Sequence, residues 1–127
     1  MAAITAVKDA APHPNGLTVI RFSGTSTANQ ADTLTSAVVN QGGTQRLCYA
    51  YAKYSGAPTQ NGVTVEIDSG LGSGFDATLS TGVANATSTF YCPECDVYIL
   101  PGDAIRVSAP AGGGSLTSSL VIVLEQA

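Results

Sequence analysis

Short runs rich in Val, Ile, Thr, Tyr and Phe recur along this chain, separated by clusters of Gly, Pro, Asn and Asp, and helical periodicity is nearly absent. That pattern confines the chain to an all-β fold, because β-branched and aromatic side chains suit a pleated, half-buried surface and the breakers mark the turns. The cleanest run is Val63-Thr-Val-Glu-Ile-Asp68, whose period of two sends Val63, Val65 and Ile67 to one face and Thr64, Glu66 and Asp68 to the other. Strands are expected at residues 17–22, 47–54, 63–68, 75–79, 87–91, 97–100, 104–108 and 118–125. This spacing, with no helices between the runs, predicts a single-domain β-sandwich, jelly-roll-like, with about eight antiparallel strands.

Individual runs carry finer expectations. Leu17, Val19 and Arg21 alternate with Thr18, Ile20 and Phe22, so both faces of that strand are expected to be partly buried. In 47–54, Leu47, Tyr49 and Tyr51 share one side and Cys48, Ala50 and Ala52 the other, the pattern of a central strand with one close-packed face. The last run is apolar on both faces, which places it in a sheet covered on two sides. Pro101-Gly102-Asp103 suits a type II turn, so 97–100 and 104–108 are expected to form a hairpin. Gly70-Leu-Gly-Ser-Gly74 reads as a flexible connection into the strand at 75–79. Residues 1–15 read as an N-terminal arm or edge strand ahead of a sandwich domain at 16–127. Residues 24–45 form a long polar segment with one short helix or strand around 34–39, and a connection of that length is usually functional or packed on a partner.

At 127 residues and 44% hydrophobic, the chain can bury a core without disulfides or metals. Only 11% of its residues are charged, against an average of about 25%, and the net charge is −4 with no Lys/Arg cluster. Nucleic acid and anionic lipid are therefore not expected partners. The longest aliphatic run, Leu120-Val-Ile-Val-Leu124, falls far short of the roughly 20 residues of a membrane helix. The start of the chain lacks the basic region of a signal peptide, so synthesis in the cytoplasm with reduced thiols is expected.

Cys92-Pro-Glu-Cys95 has the spacing of half a zinc site, and Cys48 and His13 are the remaining soft ligands. A redox role would need a helix after the motif, where Asp96-Val-Tyr-Ile-Leu100 reads as strand. The simpler reading is a turn whose cysteines are reduced or locally bridged, so no cofactor is expected. His13 is the single histidine and lies between two prolines, leaving no base for a nucleophile. The carboxylates Glu66, Asp68, Asp76, Glu94 and Asp96 fall on solvent faces or turns, where nothing shifts them toward acid–base work. Asp68 and Asp76 flank the Gly-rich loop but lack the dense ligand spacing of a calcium loop. No enzyme is expected. Tyr49, Tyr51 and Tyr54 cluster on one strand, which keeps open a stacking surface for sugars.

The succession Tyr49-Ala-Tyr-Ala-Lys-Tyr54, Val63-Thr-Val-Glu-Ile-Asp-Ser-Gly70, Phe75-Asp-Ala-Thr-Leu79, Ile99-Leu-Pro-Gly-Asp-Ala-Ile-Arg-Val107 and Thr117-Ser-Ser-Leu-Val-Ile122 resembles small β-structured virion proteins of tailed bacteriophages. The resemblance implies a jelly-roll-like structural protein on the capsid surface, a decoration or cement protein that binds the major capsid protein as a homotrimer. A receptor- or glycan-binding module of a tail fibre, neck or head spike is the alternative. A weakly charged chain with strands apolar on both faces is compatible with either, since association covers β surface that a monomer exposes. Under this reading the expected interface residues are Ile4 and Val7 in the N-terminal segment and Leu34, Val38 and Val39 in the polar one.

Overall fold

The computed structural model describes residues 2–3, 7–12, 18–36, 45–59, 62–83, 89–91 and 97–126. Among them, eleven strands make two facing sheets: β1 (Ala2–Ala3), β2 (Val7–Pro12), β3 (Thr18–Thr25), β4 (Asp32–Thr35), β5 (Gln45–Tyr54), β6 (Gly62–Asp68), β7 (Ala77–Val83), β8 (Thr89–Tyr91), β9 (Tyr98–Ile99), β10 (Ala104–Ala109) and β11 (Ser118–Gln126). One sheet runs β1-β4-β10-β6-β7; the other runs β2-β3-β11-β5-β8, with β9 also paired to β5. Every pairing is antiparallel except the short parallel contact of β1 with β4. The chain is thus an all-β sandwich. All eight expected runs are strands, and three more come from residues 2–12 and 32–35. In the described part of the N-terminal segment, β2 pairs along its whole length with β3 at the edge of one sheet and β1 pairs with β4 at the edge of the other. Pro12 closes edge strand β2, where its missing N–H removes no interior ladder bond.

The core lies between the sheets. Ile20 and Phe22 of β3, Leu47, Ala50, Ala52 and Tyr54 of β5, and Leu120, Ile122 and Leu124 of β11 face Leu34 of β4, Val63 and Val65 of β6, and Ile105 and Val107 of β10. Burial of each large aliphatic side chain here contributes roughly 1.5–3 kcal/mol, which is what commits the sheets to face each other. The alternation read from 63–68 matches the observed faces. The outer face of β11 is also covered as expected, with Val121 8% and Val123 4% exposed. Of β3, however, only Ile20 and Phe22 join the core, and Arg21 points to solvent.

Three expectations are corrected. Residues 97–100 and 104–108 do not form a hairpin: β9 pairs with β5 in one sheet and β10 with β4 and β6 in the other. The turn is nevertheless of the expected kind, with Asp103 N–H donating to the Leu100 carbonyl at 3.0 Å and Gly102 at φ +95°, and it carries the chain across the sandwich. The faces of β5 also differ from the alternation, because Tyr49 stands opposite Val123 and Leu47 opposite Leu124, leaving Cys48 as an extra residue. That bulge reverses the phase, so Leu47 joins Ala50 and Ala52 inside while Tyr49 and Tyr51 face out. Finally, Phe75 is not a strand residue but ends a single 3-10 turn at Ser73–Phe75, and β7 begins two residues later.

Candidate functional site

At one end of the sandwich the β6–β7 loop meets the β9–β10 turn. Gly70 packs so closely on Gly102 that a Cβ at residue 70 would lie 2.4 Å from the Gly102 carbonyl oxygen, and the Gly70 N–H donates to Asp103 Oδ1 at 2.8 Å. Within the loop, Ser69 N–H donates to Asp76 Oδ1 at 2.8 Å, Leu71 N–H to Ser69 Oγ at 3.1 Å, and Phe75 N–H to the Gly72 carbonyl at 3.0 Å. The segment expected to be flexible is a hydrogen-bonded frame, closed by Gly72 at φ +116°. On this frame Leu71 is 76% exposed, Phe75 66% and Leu100 57%; with Tyr98 of β9, at 56%, these are the large hydrophobic side chains most open to solvent among the described residues. Single exposed apolar residues are ordinary, whereas several on adjoining rigid loops mark a contact surface.

The same end is acidic. Arg106 on β10 donates to Glu66 Oε1 at 2.9 Å and to Asp76 Oδ2 at 3.3 Å, and lies 3.6 Å from Asp68 Oδ1. The bond to Glu66 above all raises the basicity of an already permanently charged guanidinium. Asp68 and Asp76, which flank the loop in sequence, therefore do converge, and the cation between them is the guanidinium of Arg106. Three carboxylates thus surround one guanidinium, and a fourth, Asp103, sits in the adjoining turn bonded to the Gly70 N–H.

The outer face of the six-stranded sheet offers a second surface. The Tyr49 and Tyr51 rings lie parallel, 6.3 Å apart with 9° between their planes, beside Val123 and Val121 on β11. Arg46 closes one end of this face by donating to Glu125 Oε2 at 2.7 Å, with its Nη2 3.9 Å from Cys48 Sγ.

Between the sheets, Ser118 N–H donates to Ser26 Oγ at 2.8 Å and the two hydroxyls meet at 3.1 Å. Asp32 is 1% exposed beside them, and its Oδ2 has no hydrogen-bond partner among the described residues. Burial raises its pKa, opposed by the hydrogen bond from Ser26. An acid whose folded pKa is raised binds its proton more tightly folded than unfolded, so its contribution is fully favourable below the ordinary value of 3.8 and is lost as pH rises through the folded value. Asp32→Asn is therefore expected to stabilise the domain by about 1 kcal/mol at neutral pH, with the gain vanishing toward about pH 4. Urea unfolding of both proteins across that range is the check; a variant less stable than the parent at neutral pH contradicts it.

Of the residues singled out from the sequence, His13, Cys92 and Cys95 lie outside the described residues, as do Ile4, Val38 and Val39. Of the four candidate soft ligands only Cys48 is among the described residues, on β5 with its Sγ 3.9 Å from Arg46 Nη2. Among the described residues no group of three or more His, Cys, Asp or Glu side chains is placed to hold a metal, and no helix is long and apolar enough to cross a membrane. Val7 opens β2 as the register partner of Ser23. Leu34 is fully buried against both sheets, so it packs within the domain and presents nothing to a partner. The apolar end went unrecognised, although two large apolar residues inside a Gly/Ser loop, Leu71 and Phe75, are a signal for it.

No protein-family model and no curated protein matches the chain. Among solved structures it is similar to a mutant of a family 29 carbohydrate-binding module complexed with mannohexaose, at 15% identity and a TM-score of 0.38 over 94% of this chain and 75% of that one. It is similar to a further mutant of a family 29 module at 13% identity, a TM-score of 0.38 and 95% and 80% coverage. A CBM4 structure matches at 16% identity and a TM-score of 0.36, over 95% and 78% of the two chains. These likenesses are too distant to carry a functional argument.

Proposed function

We propose that this chain is a non-catalytic assembly module, a structural protein of a phage virion that decorates or cements the capsid surface, as its sequence resemblance implies. The observation that carries the reading is the apolar end, where Leu71, Phe75 and Leu100 stand in solvent on hydrogen-bonded loops. Burying one such side chain in an interface is worth roughly 1.5–3 kcal/mol before the costs of association. A frame already rigid loses little entropy on docking, so more of that gain survives as affinity. Purified protein is measured by light scattering and co-sedimented with expanded, decoration-free capsids. A trimer that pellets with capsids is expected, and Phe75→Ser or Leu100→Ser leaves the protein in the supernatant. Parent protein that stays in the supernatant would sink the assembly reading.

A second reading, a glycan-binding module of a tail fibre or spike, is favoured by the parallel Tyr49 and Tyr51 rings on an outer sheet face bordered by charged groups. A glycan array separates the two. A sugar preference abolished by Tyr51→Ala but untouched by Phe75→Ser moves the assignment to this surface.

A further inference from the structure

We infer that the apolar end takes a protein surface whose own apolar patch is bordered by Lys and Arg; this rests on the assembly reading and names the chemistry of its partner. Leu71 and Phe75 project from the β6–β7 loop, and Leu100 opens the turn that packs on that loop through Gly70 and Gly102. The same end carries Glu66, Asp68 and Asp76 around Arg106, and Asp103 in the turn beside Gly70, three net negative charges among the described residues there in a chain whose whole formal charge is −4. Asp76 and Asp103 each accept a hydrogen bond from the loop backbone, and the Asp68 side chain is 42% exposed with Arg106 at 3.6 Å.

An incoming surface that is apolar but uncharged would cover these carboxylates and strip their water without return. A surface rimmed with acid would add repulsion. A basic rim instead places cations within hydrogen-bonding reach of the carboxylates as the apolar centres close, which favours encounter and orientation more than residence time. The same field works against a bilayer bearing anionic lipid. Protein is therefore the occupant that the combination of exposed aliphatic and aromatic side chains with acidic surroundings selects.

The test uses the full chain and two amphipathic helical peptides, one with a Leu face bordered by Lys and the other with Glu in place of Lys, titrated calorimetrically at about 0.05 and about 0.5 M salt. Phosphatidylcholine vesicles are the third probe. The Lys peptide is expected to bind, at least about tenfold more weakly at the higher salt, and the Glu peptide not to bind. Phe75→Ser should weaken the Lys peptide by about tenfold without moving the unfolding midpoint, since the ring is exposed. Asp68→Lys should weaken it about threefold or more at low salt and let the Glu peptide gain. Equal binding of both peptides, binding of neither, or vesicle binding that Phe75→Ser abolishes would each overturn the inference. The capsid assay separates this from the assembly reading. Capsid attachment lost in Phe75→Ser but indifferent to salt and to Asp68→Lys leaves that reading standing and removes the basic partner. Peptide discrimination without capsid attachment does the reverse.

Discussion

Gly70→Ala is expected to lower the unfolding free energy by about 2–3 kcal/mol and the melting temperature by roughly 10 °C. The added methyl has nowhere to go, because its nearest neighbours are backbone: the Gly102 carbonyl oxygen at 2.4 Å, its carbon at 2.7 Å and its Cα at 3.0 Å. A side chain could swing aside, but the peptide at Gly102 is held by a turn whose Asp103 accepts from the Gly70 N–H itself. Relief therefore means separating two loops and losing that bond. Backbone conformation is not the cause, since Gly70 lacks the positive φ that marks Gly72 and Gly102, so the effect is steric contact alone. Gly74, with open space around its missing Cβ, is the control, and Gly74→Ala should fall within about 0.5 kcal/mol of the parent. Chemical denaturation of the three proteins decides it. A Gly70→Ala protein as stable as the Gly74→Ala control would mean the two loops do not press together in solution. Because Leu71 and Leu100 ride on the separated loops, the same substitution should also weaken partner binding.

That contact shows where sequence reading stopped. Alternation located β6 and β10 to within a residue, because each buries one face and a slip of one position would reverse every side chain. β5 was placed correctly but its faces were not, since the bulge at Cys48 depends on the register of β11, about 75 positions away, and leaves no trace in a local period of two. The turn at Pro101-Gly102 was legible as a turn, yet what it joins was not. A type II turn serves a hairpin or a corner equally, and the choice was made by β5 pairing with β9 and β6 pairing with β10. The apolar end was hidden for a different reason. Gly and Ser between residues 69 and 74 signal freedom in an isolated chain, and the carboxylates that remove it arrive from Asp76 and from Asp103. Leu34 was misread because a polar segment of 22 residues, 24–45, looks like surface, whereas Asp32–Thr35 within it forms a strand with its apolar side chain inside.

Arg106→Leu is expected to destabilise the domain by about 2 kcal/mol, less than the roughly 3–5 kcal/mol of a fully buried ion pair because its side chain is 26% exposed. Arg106 stands opposite Glu66 across the β10–β6 pair and reaches Asp76 beyond β6, so one guanidinium ties the middle of a sheet to the loop at its end. Leucine fills much of the same volume, so the loss measures charge and hydrogen bonds more than packing. What remains is Glu66, Asp68 and Asp76 facing one another, with 20%, 42% and 17% of their side chains exposed, and mutual repulsion is relieved by letting the loop move out. Arg106→Lys keeps the charge but not the planar fork that serves Glu66 and Asp76 at once, so its cost should be about half as great. The leucine variant should recover part of its loss in high salt, which screens the carboxylates, and should regain more when Glu66→Gln is added. A lysine variant as stable as the parent would show that the charge alone matters. A leucine variant as stable as the parent would show that the end of the sandwich holds together through Asp103, Asp76 and the loop backbone without the guanidinium, and that its acidic field could be made stronger still at no structural cost.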